Sequence, residues 1–544
     1  MAGLAAVFGS GAMTNSIEEI ERADCIFIFG SNTSVAHPLI ATRVFRAKTR
    51  GAKIIVADPR KIPMVLISDL HLRHRLGTDV ALINGIMHII LKNGWQDQIF
   101  IDERTENFEE LKKVIENYPP EKVSEITGVA VSHLELAAEY YGKAERASIL
   151  YTMGITQHTT GVDNVKSLAN LVMLTGNVGR ESTGLNPLRG QNNVQGACDM
   201  GGLPNVFTGY QPVTDPSARK KFEEAWGCKL PEKVGITATE MFPAILEGKI
   251  KGMIILGENP IVTDADSHHI EKALKSLDFL LVIDIFPTHT TELSHVTLPG
   301  ASFAEKEGTF TNTERRVQMV RKAVEPPGEA KPDWRIIQEL SYRFGFPMDY
   351  ESPKEIMEEI AKLTPSYSGI SYERLQGDGI QWPCPNREHP GTKFLHQGSF
   401  TRGKGLFTPI DYKPPAEVVD EEFPFWLTTG RIHVHYHTLT MTGNSPSLLR
   451  EMQEGFLEIN PSDAKELGVK EDELIKVESK RGSVVTKAKL TDRVARGIVF
   501  MPFHFFESRA NILTNPALDP VAKIPEFKVC AVKIKKIEAQ AAIS

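Results

Sequence analysis

No apolar run in this sequence approaches the roughly 20 residues needed to span a bilayer; its 41% hydrophobic content and mixed charge read as globular and soluble. Cysteine is scarce: Cys25, Cys198, Cys228, Cys384 and Cys530 are widely scattered, and no two form a C-x-x-C pair. That leaves neither a disulfide framework nor a run of cluster ligands, and it fits a reducing compartment. There is no Walker A loop and no G-x-G-x-x-G, which argues against a simple NTPase or a standard NAD enzyme. Excess positive charge is also lacking. A net charge of -7 gives no reason to expect nucleic-acid binding. Residues 1–13 are apolar but carry no basic residue, so they do not read as a signal peptide.

What is present is a pattern that occurs twice. The first copy runs from Cys25 through Gly30 and Asn32, then a helical stretch, then Lys53 to Asp58 and Arg60. The second runs from Met253 through Gly257, Glu258 and Asn259, then a helical stretch, then Leu280 to Asp284. Each is a buried strand ending in Gly-x-Asn, a crossover, and a second buried strand ending in Asp. That is half of a nucleotide-binding α/β fold, in which ligands sit at the carboxyl ends of parallel strands. An Asp at the second strand end is placed to accept hydrogen bonds from a ribose or a base. Two copies suggest two nucleotide-like ligands, or one large ligand with two nucleotide ends.

A length of 544 residues exceeds one hydrophobic core and suggests about three domains. Residues 1–190 alternate strand signals (25–30, 53–57, 147–153) with helix signals (16–22, 37–49, 79–93, 106–117, 131–142, 162–176). Residues 191–412 repeat the theme, with strands at 252–256 and 279–284 and an irregular stretch from 369. From 413 the period changes. A hairpin over 474–490 and strands at 497–501 and 528–534 read as a β-barrel domain over 413–544.

Several segments look ligand-facing. Residues 186–202 hold five amide side chains (Asn186, Gln191, Asn192, Asn193, Gln195) and Arg189 among glycines. This suits a planar, heteroatom-rich ligand, and Arg189 could hold a small carboxylate in a bidentate fork. Residues 151–158, with Gly154 and Gln157, leave a strand through a glycine. Residues 307–316 cluster opposite charges and hydroxyls. On a strand His433, His435 and His437 would share one face, as a metal trio needs, but no carboxylate accompanies them, and no metal ligand is assigned. His71, His74, His268 and His269 read as surface residues.

The segment Arg189-Gly-Gln-Asn-Asn-Val-Gln-Gly-Ala-Cys-Asp-Met-Gly201 resembles the signature of the catalytic subunit of molybdenum- or tungsten-dependent formate dehydrogenases. The resemblance runs nearly end to end. It includes Gly11-Ala-Met-Thr-Asn15, Asp58-Pro-Arg-Lys61, Leu174-Thr-Gly-Asn177, Glu307-Gly-Thr-Phe310, Gln381-Trp-Pro-Cys384 and Met441-Thr-Gly-Asn444. It implies the molybdopterin oxidoreductase fold: two related α/β domains followed by a β-barrel that caps the cofactor. It implies a bis-molybdopterin guanine dinucleotide cofactor carrying Mo or W, with the metal between the two α/β domains. By position, Gly30, Asn32, Asp58, Arg60, Asp79, Gly154 and Gln157 would contact one dinucleotide. Gly257, Glu258, Asn259 and Asp284 would contact the other. Gln191 would lie near the pterins, and Arg431, His435, Asn511 and Lys528 would come from the barrel. Arg189 matches the active-site Arg that holds formate while it is oxidised to CO2. Electron-transfer iron–sulfur subunits are the implied partners.

The sequence departs from that pattern at its start. In the family a Cys/Sec-His pair precedes a short Gly/Ser-Pro-Ser/Thr-Val stretch and then Ala-Gly-Leu, whereas this chain begins Met1-Ala2-Gly3-Leu4. The catalytic pair, the 4Fe–4S region and the first elements of the second α/β domain are thus expected to lie in a missing N-terminal part. The expected origin is the portion of a selenoprotein after its UGA codon, with a truncated paralogue as the competing explanation. Made alone, the second sheet should expose apolar surface, and the chain should be poorly soluble or metal-free. A cytoplasmic location is expected, or a periplasmic one if an export signal lies in that part. Two other readings stay open: a non-catalytic pterin-cofactor-binding fragment, and another bis-pterin oxidoreductase such as a nitrate reductase.

Overall fold

The computed structural model describes residues 1–537. They form two compact units. One comprises Met1–Leu188, Ile261–His268 and the described residues from Phe394 onward, the other Arg189–Pro260 and His269–Lys393.

The first unit is built on a parallel sheet of β1 (Cys25–Phe29), β2 (Lys53–Ala57), β3 (Leu70–Leu72), β4 (Ala147–Tyr151) and β5 (Gly184–Pro187), in the order β3-β2-β1-β4-β5. Every residue of β1 is buried. Strand side chains alternate between faces, so a fully apolar strand must be covered on both. Cys25, Phe27 and Phe29 enter one core with helices Asp79–Lys92, Val131–Gly142 and Gly161–Leu174. Ile26 and Ile28 enter another with helix Pro38–Thr49, whose Ile40, Ala41, Val44 and Ala47 form one helical stripe. The helix expected over 16–22 is a 3₁₀ turn, Glu18–Arg22. There Glu19 accepts hydrogen bonds from the Asn15 amide (2.9 Å) and the Ser16 backbone N–H (3.2 Å), which tightens the turn.

The same unit holds a closed six-stranded barrel. Phe425–Gly430 pairs in parallel with Ile498–Pro502, and Leu474–Glu478 pairs antiparallel with Ser483–Leu490 and with Cys530–Lys536. Its interior is Leu427, Leu457, Ile459, Ile475, Val477, Ala488, Val499, Met501 and Val532.

The second unit carries a three-stranded parallel sheet, β6 (Gly252–Leu256), β7 (Phe279–Asp284) and β8 (Val296–Pro299), in the order β8-β7-β6. Leu281 and Ile283 pack under Ile336 of helix Asp333–Arg343. Ile254, Leu256, Phe279 and Val296 remain 39–53% exposed. The charged segment 307–316 forms a hairpin, Gly308–Thr311 against Arg316–Val320. Three of its charged residues are engaged within this unit: Arg316 pairs with Glu314 at 2.8 Å, and the buried Arg315 donates to the carbonyls of Trp382, Thr392 and Lys393. Among the described residues no helix is long and apolar enough to cross a membrane.

Candidate functional site

In the first unit the candidate residues gather at the carboxyl ends of β1, β2 and β4. Gly30 leaves β1 with a φ of +50°. Its carbonyl accepts from the Gly154 N–H (3.1 Å) and the Thr152 hydroxyl (2.6 Å). A Cβ on Gly30 would stand 2.7 Å from the Gly154 backbone. The two glycines let adjacent strand exits cross in contact, which no side chain would permit.

Asp58 ends β2. Burial pushes its carboxyl up from the ordinary carboxylate range, against the Arg60 backbone N–H, which donates to Oδ1 at 2.9 Å. Arg60 is buried, pairs with Glu458 of the barrel at 2.7 Å, and lays its guanidinium 3.3 Å from the centre of the Phe500 ring. Lys528 lies in the same neighbourhood. Burial pushes its ammonium down to about 8, partly countered by the Asp58 carboxylate and reinforced by Arg60 and Arg431. Its Nζ donates to the Thr429 carbonyl (2.6 Å), and its backbone N–H to the Gln157 carbonyl (3.3 Å). Asp58, Arg60, Gln157, Arg431 and Lys528, scattered in sequence, thus form one cluster with a surplus of positive charge.

Other expected contacts have structural partners. Asp79 opens helix Asp79–Lys92 and is bonded by His74 at 3.2 Å, and both are 4% exposed. His74 is therefore not a surface residue: burial opposes its protonation, but the Asp79 carboxylate raises it on balance. The Asn511 amide donates to the carbonyls of Val262 and Thr263, both at 2.9 Å, and so ties down the 261–268 segment. His433, His435 and His437 follow the strand Phe425–Gly430 in irregular backbone, so the shared strand face does not exist. His435 contacts the Thr442 hydroxyl (3.3 Å) and the Met452 carbonyl (2.7 Å).

In the second unit Gly257 ends β6 with a φ of +63°, is exposed, and has open space where a Cβ would project. Glu258 is exposed beside it. Asn259 is buried, and its Oδ1 accepts from the Thr290 hydroxyl at 2.7 Å. Asp284 ends β7 and accepts the Ile285 N–H at 2.7 Å; burial raises its carboxyl.

The amide-rich loop separates into distinct roles. Arg189 is half-buried; its backbone N–H donates to Thr313 Oγ1 (3.0 Å) and its Nε to Gln195 Oε1 (3.2 Å). Gln195 is fully buried on helix Val194–Asp199, where its Nε2 donates to Asp199 (2.8 Å) and to the Tyr210 hydroxyl (2.9 Å). Asn193 Oδ1 accepts the Thr311 N–H at 2.9 Å, whereas Gln191 is half-buried and Asn192 exposed. Among the described residues no group of three His, Cys, Asp or Glu side chains could hold a metal ion.

The pattern described as Molybdopterin oxidoreductase matches residues 4–343, well over half of the chain, and that described as Molydopterin dinucleotide binding domain matches residues 425–531. The chain belongs to the molybdopterin oxidoreductase family. This family member is 56% identical over 540 residues to the F420-dependent formate dehydrogenase subunit alpha of Methanocaldococcus jannaschii, spanning 98% of this chain and 80% of that protein. It is 42% identical over 549 residues to formate dehydrogenase H of Escherichia coli, spanning 100% of this chain and 77% of that protein. The structure of acetylene hydratase from Pelobacter acetylenicus shares the fold, with a TM-score of 0.76 at 20% identity over 98% of this chain and 80% of that one.

The family brings a molybdopterin cofactor, and the first unit fits an anionic, hydrogen-bonding dinucleotide. Asn32 Oδ1, Ser34 Oγ and Arg60 Nε are buried without a partner among the protein atoms. They follow the ends of β1 and β2, where the fold places ligands. Buried polar atoms are seldom left unpaired in a finished structure, so three at one strand-end region are consistent with a bound group. Ser34 carried no separate signal in the sequence. Only its buried environment makes it a candidate.

Proposed function

We propose that this chain belongs to a formate dehydrogenase, in which formate is oxidised reversibly to CO2 with release of two electrons and a proton. The carrying observation is Arg189. A fixed cation, braced at its backbone by Thr313 and at its Nε by Gln195, stands in the loop that resembles the formate dehydrogenase signature. Its guanidinium would hold the formate carboxylate through charge-assisted hydrogen bonds and keep the C–H bond in one orientation. Oriented charge that is already in place costs no reorganisation during reaction.

The cofactor in this reading is bis-molybdopterin guanine dinucleotide with Mo or W, which accepts the two electrons when bound. In the first unit Lys528, Arg60 and Arg431 would meet the diphosphate charge. Asn32 and Gln157 would supply polar contacts, and Asp58 would accept from the base or ribose. Gly257, Glu258, Asn259 and Asp284 would hold the other dinucleotide, and Gln191 would contact a pterin. Asp79, His435 and Asn511 would act by holding the surrounding backbone. The M. jannaschii relative is named as an alpha subunit, which supports further subunits here; iron–sulfur electron-transfer subunits are the partners this reading proposes. The test is formate-dependent reduction of a viologen dye by the purified holoenzyme, with metal analysis for Mo and W. Dye reduction that depends on formate supports the reading; a metal-loaded enzyme inert to formate overturns it.

A further inference from the structure

Asp199 sits fully buried at the centre of a four-donor network in the second unit. Tyr367 and Trp382 donate to its Oδ2 (2.5 and 2.7 Å), and Tyr210 and Gln195 to its Oδ1 (2.7 and 2.8 Å). Desolvation pushes its carboxyl up, and the four donors pull against that. A carboxyl group held by four donors is a fixed point, because its lone-pair directions are already taken.

The consequence for Gln195 is a fixed amide orientation. Its Nε2 donates both to Asp199 and to the Tyr210 hydroxyl. An amide flip would set its oxygen against the carboxylate, so Oε1 is compelled to point at Arg189 Nε. The bond engages Nε rather than the two-nitrogen edge of the guanidinium that pairs with a carboxylate in a fork. A neutral amide between Asp199 and Arg189 transmits orientation without setting a competing carboxylate directly against the guanidinium. Hydrogen-bonded chains of this kind also polarise along their length.

We propose that Gln195, locked by Asp199 and Tyr210, is a positioning residue that sets the plane of the Arg189 guanidinium for the substrate carboxylate. The inference rests on the reading of Arg189 as the formate-binding group. Gln195 does not touch substrate in this scheme. It restricts rotation of the Arg189 side chain, so its loss should weaken substrate binding with little change in the chemical step.

The experiment uses the holoenzyme with Gln195→Met, which keeps length and apolar volume but removes the bonds to Asp199, Tyr210 and Arg189. The expected result is a formate KM about tenfold higher, kcat per metal within about threefold, and unchanged metal content; one decade in binding corresponds to 1.4 kcal/mol. An unchanged KM, or a loss that only follows lost metal, overturns the proposal. Tyr210→Phe supplies a second test should Gln195→Met fold poorly: it removes the hydroxyl that accepts from Gln195, and KM should rise in the same direction. In an Arg189→Lys background Gln195→Met should add no further increase in KM, and an additive increase would show that Gln195 acts elsewhere. If Arg189→Lys itself leaves formate KM and kcat unchanged, the reading of Arg189 fails. If it impairs formate use while Gln195→Met and Tyr210→Phe do not, only the positioning role fails.

Discussion

Gly30 and Gly154 touch backbone to backbone: the Gly154 N–H donates to the Gly30 carbonyl at 3.1 Å, and a Cβ on either would enter the other's main chain at 2.5–2.7 Å. The contact closes the gap between the exits of β1 and β4. It brings Asn32 on one side and Gln157 on the other into the same strand-end region.

Gly154→Ala should therefore displace one strand exit from the other. The added Cβ would meet the Gly30 main chain at 2.5 Å, closer than real Cβ atoms come, so one exit must shift. The expected outcome is a lower unfolding midpoint together with loss of bound metal. A variant with unchanged midpoint and metal content would show that the contact positions nothing.

Arg60 and Glu458 join the parallel sheet to the barrel through a buried pair at 2.7 Å. Removing Glu458 leaves the buried Arg60 without its barrel partner, which costs about 3–5 kcal/mol, whereas removing Arg60 leaves Glu458 with Arg493 at 3.3 Å. Glu458→Ala should destabilise by that order in denaturant titration, and Arg60→Ala by less. The double replacement Arg60→Met with Glu458→Leu should lose much less than Glu458→Ala. Equal losses in these two variants would contradict the pairing.

Lys528 gives a pH signature. Burial holds its ammonium at about 8 in the folded chain, against an ordinary value of about 10.4 when unfolded. Between these values the unfolded chain binds more protons, so this group makes stability rise with pH. Below about 8 the charged side chain opposes folding fully; by about 10.4 the opposition is gone. Lys528→Met should thus be relatively more stable than the parent at pH 7 in the cofactor-free chain, and the gap should narrow toward pH 10. A bound diphosphate would favour the charged form, so cofactor should be retained less well as pH rises above 8. Unfolding midpoints and metal retention across pH 7–10 check both; a pH-independent gap would contradict the burial argument.

Ile254, Leu256, Phe279 and Val296, all on the three-stranded sheet β6–β8, are 39–53% exposed, so this sheet presents large apolar side chains to solvent. Residues 1–544 made alone should bind an apolar fluorescent dye and elute as aggregates or without metal. A monodisperse product with stoichiometric Mo or W would contradict this.

Much of the framework is legible in the sequence, because doubly covered parallel strands are continuous apolar runs. Cys25–Phe29, Lys53–Ala57 and Phe279–Asp284 stand out for that reason. Leu70–Leu72 and Gly184–Pro187 do not: three or four residues containing His, Gly or Pro carry little periodic signal. The Gly-x-Asn strand ends were visible for the same reason as the strands. The partners of polar side chains were not, since they are set by distant segments. Asn511 finds its partners in residues 262 and 263, and His74 is buried by the fold despite its polar surroundings in sequence. Asp199 shows the limit most clearly: its donors come from positions 195, 210, 367 and 382, and no local pattern connects them.

The most direct measurement compares formate and nitrate as substrates of the holoenzyme, in the parent and in Arg189→Lys. The parent should reduce a viologen dye with formate and show no nitrate reduction. Arg189→Lys keeps the charge but loses the planar fork, and kcat/KM for formate should fall by about 10²–10³, the range for losing one oriented charge-stabilising donor. A metal-loaded parent that reduces nitrate and leaves formate untouched, or an Arg189→Lys enzyme that oxidises formate as well as the parent, would contradict the assignment.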